Sequence, residues 1–221
     1  MNKLKKALKN NKITLGTWIQ IPHPSIVEII SNNCNKKLDW MCIDMEHGTI
    51  DIESMAILIS AIEKYDIIPV VRIPKNDYIW IHRSLDAGAK GLIIPMVKTA
   101  QEARDVVGEA FYPPVGKRSF GYSRANNYGS DFDDYIKTAN DDISIIIQIE
   151  HIDAINELDS ILDVDGIDAT FIGPYDLSGS LGVPGDFDNS EYQKALSVYI
   201  NKSYKHNIPL GIHVVAIFRK D

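Results

Sequence analysis

Cysteine is scarce: Cys34 and Cys42 are the only two in 221 residues, they form no CxxC pair, and no zinc-type spacing surrounds them. A disulfide framework and a structural zinc are therefore disfavoured, and reduced thiols in a cytoplasmic protein are expected. No apolar run approaches the roughly 18 residues of a membrane span. The opening MNKLKKALKNNKI has lysines but no signal-length apolar stretch behind them, so it reads as a short surface helix. Positive charge is also in deficit: 23 basic against 30 acidic side chains give a net charge of -7 with no arginine-rich stripe. That balance argues against a nucleic-acid surface and for small-molecule chemistry. No compositional break divides the chain, so one domain over 1–221 is expected, and 45% hydrophobic with 24% charged residues is the composition of a folded globular protein.

What is present is a rhythm. Seven short apolar runs rich in β-branched residues, ITLGTWIQ, WMCIDME, IIPVVRI, GLIIPM, SIIIQIE, ATFIGP and IPLGIHVV, alternate with segments of helical period such as IESMAILISAIEKY and SEYQKALSVYINKSYKH. Strand, helix, strand in repetition means parallel pairing, and runs apolar on both faces mean a covered or closed sheet. An α/β fold of the (β/α) TIM-barrel type fits best. The rival, an open doubly wound sheet, lacks a Gly-rich dinucleotide fingerprint after the first strand. One stretch, YPPVGKRSFGYSRANNY from Tyr112 to Tyr128, has neither period and reads as a long βα loop that shapes the site, or else as a plain surface excursion.

The unusual polar residues gather at the C-terminal ends of strands, where barrel enzymes build their sites. His47 follows strand two, Arg72 closes strand three, Glu150 closes strand five and Asp176 follows strand six. Glu150 and Asp176 are hard oxygen donors that suit an octahedral Mg²⁺, Mn²⁺ or Co²⁺ and leave positions open for a 2-oxo acid. Such a cation stabilises an enolate. Either carboxylate alone also reads as a solvated loop start. Arg72, inside an apolar run, must be paired or face a cavity. It is a candidate to hold substrate or enolate, or else to bridge Asp44 or Glu46. His47 is a candidate proton carrier or plain polar surface. Alternation puts Asp44 with Glu46, and Gln148 with Glu150, on common sides of their strands, where they would orient His47 or metal-bound water, or fill the barrel as ion pairs. Gly173 and Pro174, before Tyr175 and Asp176, supply a turn and a short helix N-terminus able to bind a substrate carboxylate, or a simple connector.

These residues carry a resemblance. In DWMCIDMEHG, VVRIP, LDAGAKGLIIPMV, YPPVGKRSFGYSRANNYG, IIIQIE and FIGPYDLSGSLGVPG, in that order, the chain resembles the HpcH/HpaI family of class II pyruvate aldolases, from about GTWIQ to GIHVV. The resemblance implies a TIM barrel that cleaves 4-hydroxy-2-oxo acids to pyruvate and an aldehyde, usually as a homo-oligomer, a hexamer with an exchanged C-terminal helix. It further implies that Glu150 and Asp176 bind the divalent metal, that Arg72 stabilises the enolate, and that His47 is the acid-base residue paired with Asp86. From the residues alone, Asp86 reads only as a surface charge at a helix end. Tyr175 stands where many members carry a smaller residue, and Ser119 replaces a common glycine.

After GIHVV, family members continue into an eighth strand and a last helix, whereas here AIFRKD follows. A barrel truncated after strand seven is expected, with its exposed edge explained by gene truncation, by cover from the N-terminal segment or another subunit, or by loss of catalysis. Three other functions stay open: a Schiff-base aldolase using Lys75 or Lys98, a non-catalytic 2-oxo-acid or metal binder, and a decarboxylase of oxaloacetate-like acids.

Overall fold

The computed structural model describes residues 1–34 and 37–214. A short helix α1 (Lys3–Lys9) precedes the repeat, which runs β1 (Gly16–Ile19), α2 (Ser25–Asn33), β2 (Trp40–Asp44), α3 (Ile52–Glu63), β3 (Ile68–Arg72), α4 (Tyr78–Asp86), β4 (Gly91–Ile94) and α5 (Ala100–Ala110). It continues through α6 (Phe132–Asp142), β5 (Ser144–Ile149), α7 (Ile152–Asn156), α8 (Leu158–Leu162), β6 (Ala169–Ile172), α9 (Pro174–Ser180), α10 (Ser190–Lys205) and β7 (Leu210–Ile212). All seven expected strands form. They pair in chain order, every neighbour parallel, which makes a TIM-type sheet with β1 and β7 as its two edges. Helix starts follow local chemistry: the Asp51 and Asp77 carboxylates accept N–H bonds from the first turns of α3 and α4, and Thr99 with Glu102 forms a reciprocal capping box on α5.

Two cores result. The larger lies between sheet and helices and includes Met41, Ile43, Val71, Leu92 and Ile147. The smaller fills the lumen with Cys42, Val70, Ile93, Ile146, Ala169 and Phe171, against which Trp18, Trp40 and Ile68 pack. Alternation along each strand separates the two sets, so the lumen-facing residues just beyond this layer include Asp44, Arg72, Gln148 and Glu150. The lumen therefore turns from apolar to charged toward the C-terminal ends of its strands.

The N-terminal helix departs from expectation. It is helical, but Leu4, Leu8 and Lys5 are buried, the two leucines against the lumen cluster. Lys5 Nζ donates to Asp168 Oδ2 at 2.9 Å and to the Ile143 carbonyl, while Asp168 also accepts the Ile145 N–H. The helix plugs the lower end of the barrel instead of lying on its surface. Its lysines suggested exposure, yet one of them is consumed by a buried carboxylate.

The segment Tyr112–Tyr128 also differs from expectation, because it follows α5 and connects helix to helix, not strand to helix. Buried Asn126 organises it: its Oδ1 accepts the N–H groups of Ser123 and Gly129, and its Nδ2 donates to the Gly121 carbonyl.

Among the described residues there is no eighth strand, and the N-terminal segment adds none to either edge. Between the edges, Trp18 of β1 meets Phe171 at 5.8 Å and His213 at 5.2 Å, and Asn11 donates to Asn207. An apolar cavity of about 520 Å³ remains there, lined by Leu4, Trp40, Val70, Ile146 and Phe171 among others. No described helix is long and apolar enough to cross a membrane.

Candidate active site

Asp44, the last residue of β2, is fully buried and accepts five hydrogen bonds. Its Oδ1 takes Arg72 Nε at 2.9 Å together with the N–H groups of Glu46 and His47, and its Oδ2 takes Arg72 Nη2 at 2.7 Å and Gln20 Nε2 at 2.8 Å. Burial pushes the Asp44 carboxyl up, but the hydrogen bonds from Arg72 and Gln20 outweigh it and hold the group below the usual carboxylate range. Arg72 in turn has Nη1 at 3.3 Å from Glu46 Oε2 and its guanidinium over the Trp18 indole at 4.5 Å. The salt bridge read as the plain alternative for Arg72 is thus present, with both Asp44 and Glu46. It clamps the fork at the mouth of the lumen.

Glu46 is raised above its ordinary pKa, by burial first, with Arg72 opposing and Asp44 and Asp176 adding negative charge nearby. His47 is largely exposed, its Nε2 3.8 Å from Glu46 Oε2. Glu150 directly follows β5 and is 3% exposed. Its Oε1 accepts the Met96 N–H at 2.6 Å and its Oε2 accepts from Gln148 Nε2. Met96 holds that N–H in place from a left-handed backbone, φ 55°. Burial, and then the charges of Glu46 and Asp176, push Glu150 up to about 7 against the hydrogen bonds that favour its ionised form.

Gly173 is dictated by this carboxylate, because a Cβ there would lie 2.8 Å from both Glu150 Cβ and Oε2. Behind it Pro174 opens α9, and Asp176 sits exposed in the first turn. The Tyr175 ring is exposed and edge-on to Phe187 at 5.0 Å, and its carbonyl accepts the Ser178 hydroxyl.

The negative charge of Asp176 thus reaches both Glu46 and Glu150, that of Glu46 reaches Glu150, and the Arg72 guanidinium answers Glu46. Among the described residues, no three His, Cys, Asp or Glu side chains already form a closed metal cage. The donor set that fits a hard cation is the pair Glu150 and Asp176, both oxygen donors just beyond the ends of the adjacent strands β5 and β6, with Glu150 crowded by negative charge that a cation would relieve.

Asp86 lies elsewhere. It ends α4, which runs back from the mouth, and it pairs with the buried Arg118 at 2.6 Å. The glycine that follows it in LDAGAKG, Gly88, has φ 106°, as the helix-to-strand turn requires. Within one chain Asp86 is thus at the opposite end of the barrel from His47. Lys75 and Lys98 lie beyond the ends of β3 and β4, and Lys75 lines a cavity that Glu46 and Met96 also line. The strand-end rule missed Trp18, Gln20 and Met96. Gln20 closes the first strand as Arg72 closes the third, so the same rule applied to TWIQIP would have found it. The left-handed Met96 leaves no mark in the sequence.

The family model for HpcH/HpaI aldolase/citrate lyase matches residues 15–217. The chain belongs to that family. A 4-hydroxy-2-oxo-heptane-1,7-dioate aldolase of Salmonella dublin is 39% identical over 197 residues, covering 88% of this chain and 73% of the relative. A 2-keto-3-deoxy-L-rhamnonate aldolase of Klebsiella pneumoniae is 37% identical over 203 residues, covering 91% and 74%. Among solved structures, a HpcH/HpaI aldolase/citrate lyase family protein from Burkholderia cenocepacia superposes with a TM-score of 0.90 at 31% identity, covering 96% of this chain and 84% of that one. The curated relatives are aldolases by name, and family membership places this chain among such enzymes.

Proposed function

We propose that the protein is a divalent-metal-dependent pyruvate aldolase, cleaving a 4-hydroxy-2-oxo acid into pyruvate and an aldehyde. The observation that carries this reading is the meeting of the clamped Arg72 with Glu46 and Glu150, both raised by burial and by neighbouring negative charge, beside Asp176, all at the C-terminal mouth. Glu150 and Asp176 would hold Mg²⁺, Mn²⁺ or Co²⁺, whose chemistry is to withdraw charge from the 2-oxo acid. Arg72, its fork fixed by Asp44 and Trp18, presents its remaining N–H groups to the oxygen that becomes negative as the enolate forms. Glu46 and Gln148 orient His47 and Glu150, and the backbone of Gly173, Pro174 and Tyr175 faces the substrate carboxylate.

His47 takes the proton of the C4 hydroxyl as the C3–C4 bond breaks. The electron pair of that bond passes into the enolate, and a proton delivered to C3 completes pyruvate. Asp86 pairs with His47 only if it comes from a second copy, which makes this reading one of a homo-oligomer.

The test is an aldol assay with pyruvate and a panel of aldehydes, with each cation and with chelator. Glu150→Ala and Asp176→Ala are expected to abolish metal-dependent turnover. Wild-type rates in either variant, or chelator resistance with borohydride trapping of pyruvate, would falsify the metal assignment.

A further inference from the structure

One strand end at the same mouth carries chemistry that this reading leaves unused. In the β6–β7 register Gly211 stands opposite Phe171, whose ring a Cβ at Gly211 would strike at 2.7 Å, so position 211 faces the lumen. By alternation His213 continues on that side above it. The His213 ring packs on Trp18 with centroids 5.2 Å apart and planes tilted by 31°, and it is otherwise exposed toward the mouth. The same indole carries the Arg72 guanidinium. One tryptophan therefore packs against both the guanidinium assigned to the enolate and an imidazole.

That imidazole packs on Trp18 and feels the charges of Arg72 and Asp44. Burial against the indole and then the Arg72 charge lower the His213 pKa, with Asp44 opposing, so the ring is neutral near neutral pH. A neutral imidazole offers one donor and one acceptor nitrogen. It is poorly matched to a carboxylate, which seeks a cation, and to an alkyl chain, which seeks an apolar wall. A hydroxyl, itself both donor and acceptor, matches it.

We propose that His213 is a specificity-determining residue that hydrogen-bonds a hydroxyl group on the aldehyde portion of the substrate, so that hydroxylated aldehydes are favoured over alkyl ones. The proposal rests on the aldolase reading of the same mouth. A site built to bond a hydroxyl discriminates against the analogue that lacks it, because the bonding group is left unpaired.

The decisive measurement is nitrogen NMR of the His213 ring, its resonance identified by loss in His213→Gln, in protein saturated with Mg²⁺ and pyruvate. Glycolaldehyde is expected to shift it and propanal to leave it in place. An equal response to both, or to neither, overturns the proposal. In parallel, His213→Leu is expected to lower the ratio of kcat/KM for glycolaldehyde over propanal at least ~10-fold, with His213→Gln regaining part of it. Equal losses with both aldehydes indicate only packing on Trp18 and also overturn it. Absence of turnover with every aldehyde, alongside a selective NMR response, removes the aldolase reading and with it the specificity role, leaving only the hydroxyl contact of His213.

Discussion

Arg72 does two jobs with one guanidinium. Its Nε and Nη2 bind both oxygens of the buried Asp44, and its flat face lies on Trp18. A lysine ammonium carries the charge but reproduces neither the fork nor the stack. Arg72→Lys is therefore expected to lower kcat by ~10² or more, and to reduce stability by about 1–3 kcal/mol as Asp44 loses a partner. Steady-state kinetics and denaturant unfolding check the two effects, and a rise in KM with kcat unchanged would assign Arg72 to ground-state binding alone. Glu150 makes an opposite case. With its pKa raised to about 7, the stability this group contributes is present below the ordinary carboxylate range and is lost as pH climbs through that value. In chelator-treated protein, Glu150→Gln should raise Tm relative to wild type at pH 8 and lose that advantage at pH 5. The swap is tolerable because Gln148 Oε1 has no hydrogen-bond partner and can accept from the new amide once the Gln148 side chain turns over. An equal shift at both pH values would speak against charge crowding.

At the scale of elements, α1 shows how a short, lysine-rich helix can act as a plug. Leu4, Leu8 and Lys5 are its buried residues, and Lys5 sits with Asp168 where both side chains are 6% exposed. Lys5→Met leaves a buried carboxylate with only the Ile145 N–H. A loss of about 3–5 kcal/mol is expected, measurable by urea unfolding, and a loss below ~1 kcal/mol would mean that water already reaches the pair. The sequence could not announce this role. A seven-residue amphipathic segment with four lysines looks like surface, and the carboxylate that captures Lys5 lies 163 residues away in the chain. The strands were legible for the opposite reason: runs such as SIIIQIE and GLIIPM are apolar on both faces, which only a covered parallel sheet accommodates. Their alternation also revealed which side of β2 and β5 carries Asp44, Glu46, Gln148 and Glu150. What alternation misses is contact between elements. Trp18 looked like one more apolar residue until Arg72 and His213 were seen to share its ring, and the Tyr112–Tyr128 segment was attached to the wrong kind of neighbour because α5 intervenes.

At the scale of the whole molecule, the placement of Asp86 decides how many chains make one site. It ends a helix running away from the mouth and is fixed there by Arg118, a guanidinium buried to 1% exposure and stacked over Tyr112. Asp86 itself remains accessible, its side chain 39% exposed. An aspartate so braced yet open is suited to present a carboxylate outward, not into its own barrel. If it orients His47 of another copy, each site draws one member of the pair from each chain. His47→Ala and Asp86→Ala should then each be nearly inactive alone. In a mixed pair, one site receives both defects and the other receives His47 and Asp86 intact. Refolding the two variants together in equal amounts should restore about a quarter of wild-type turnover, since half of random pairs are mixed and half of their sites are whole. Mass spectrometry of the assemblies establishes that mixed pairs formed. Mixed pairs without recovered turnover would leave Asp86 a structural partner of Arg118 and return His47 to working with Glu46 alone.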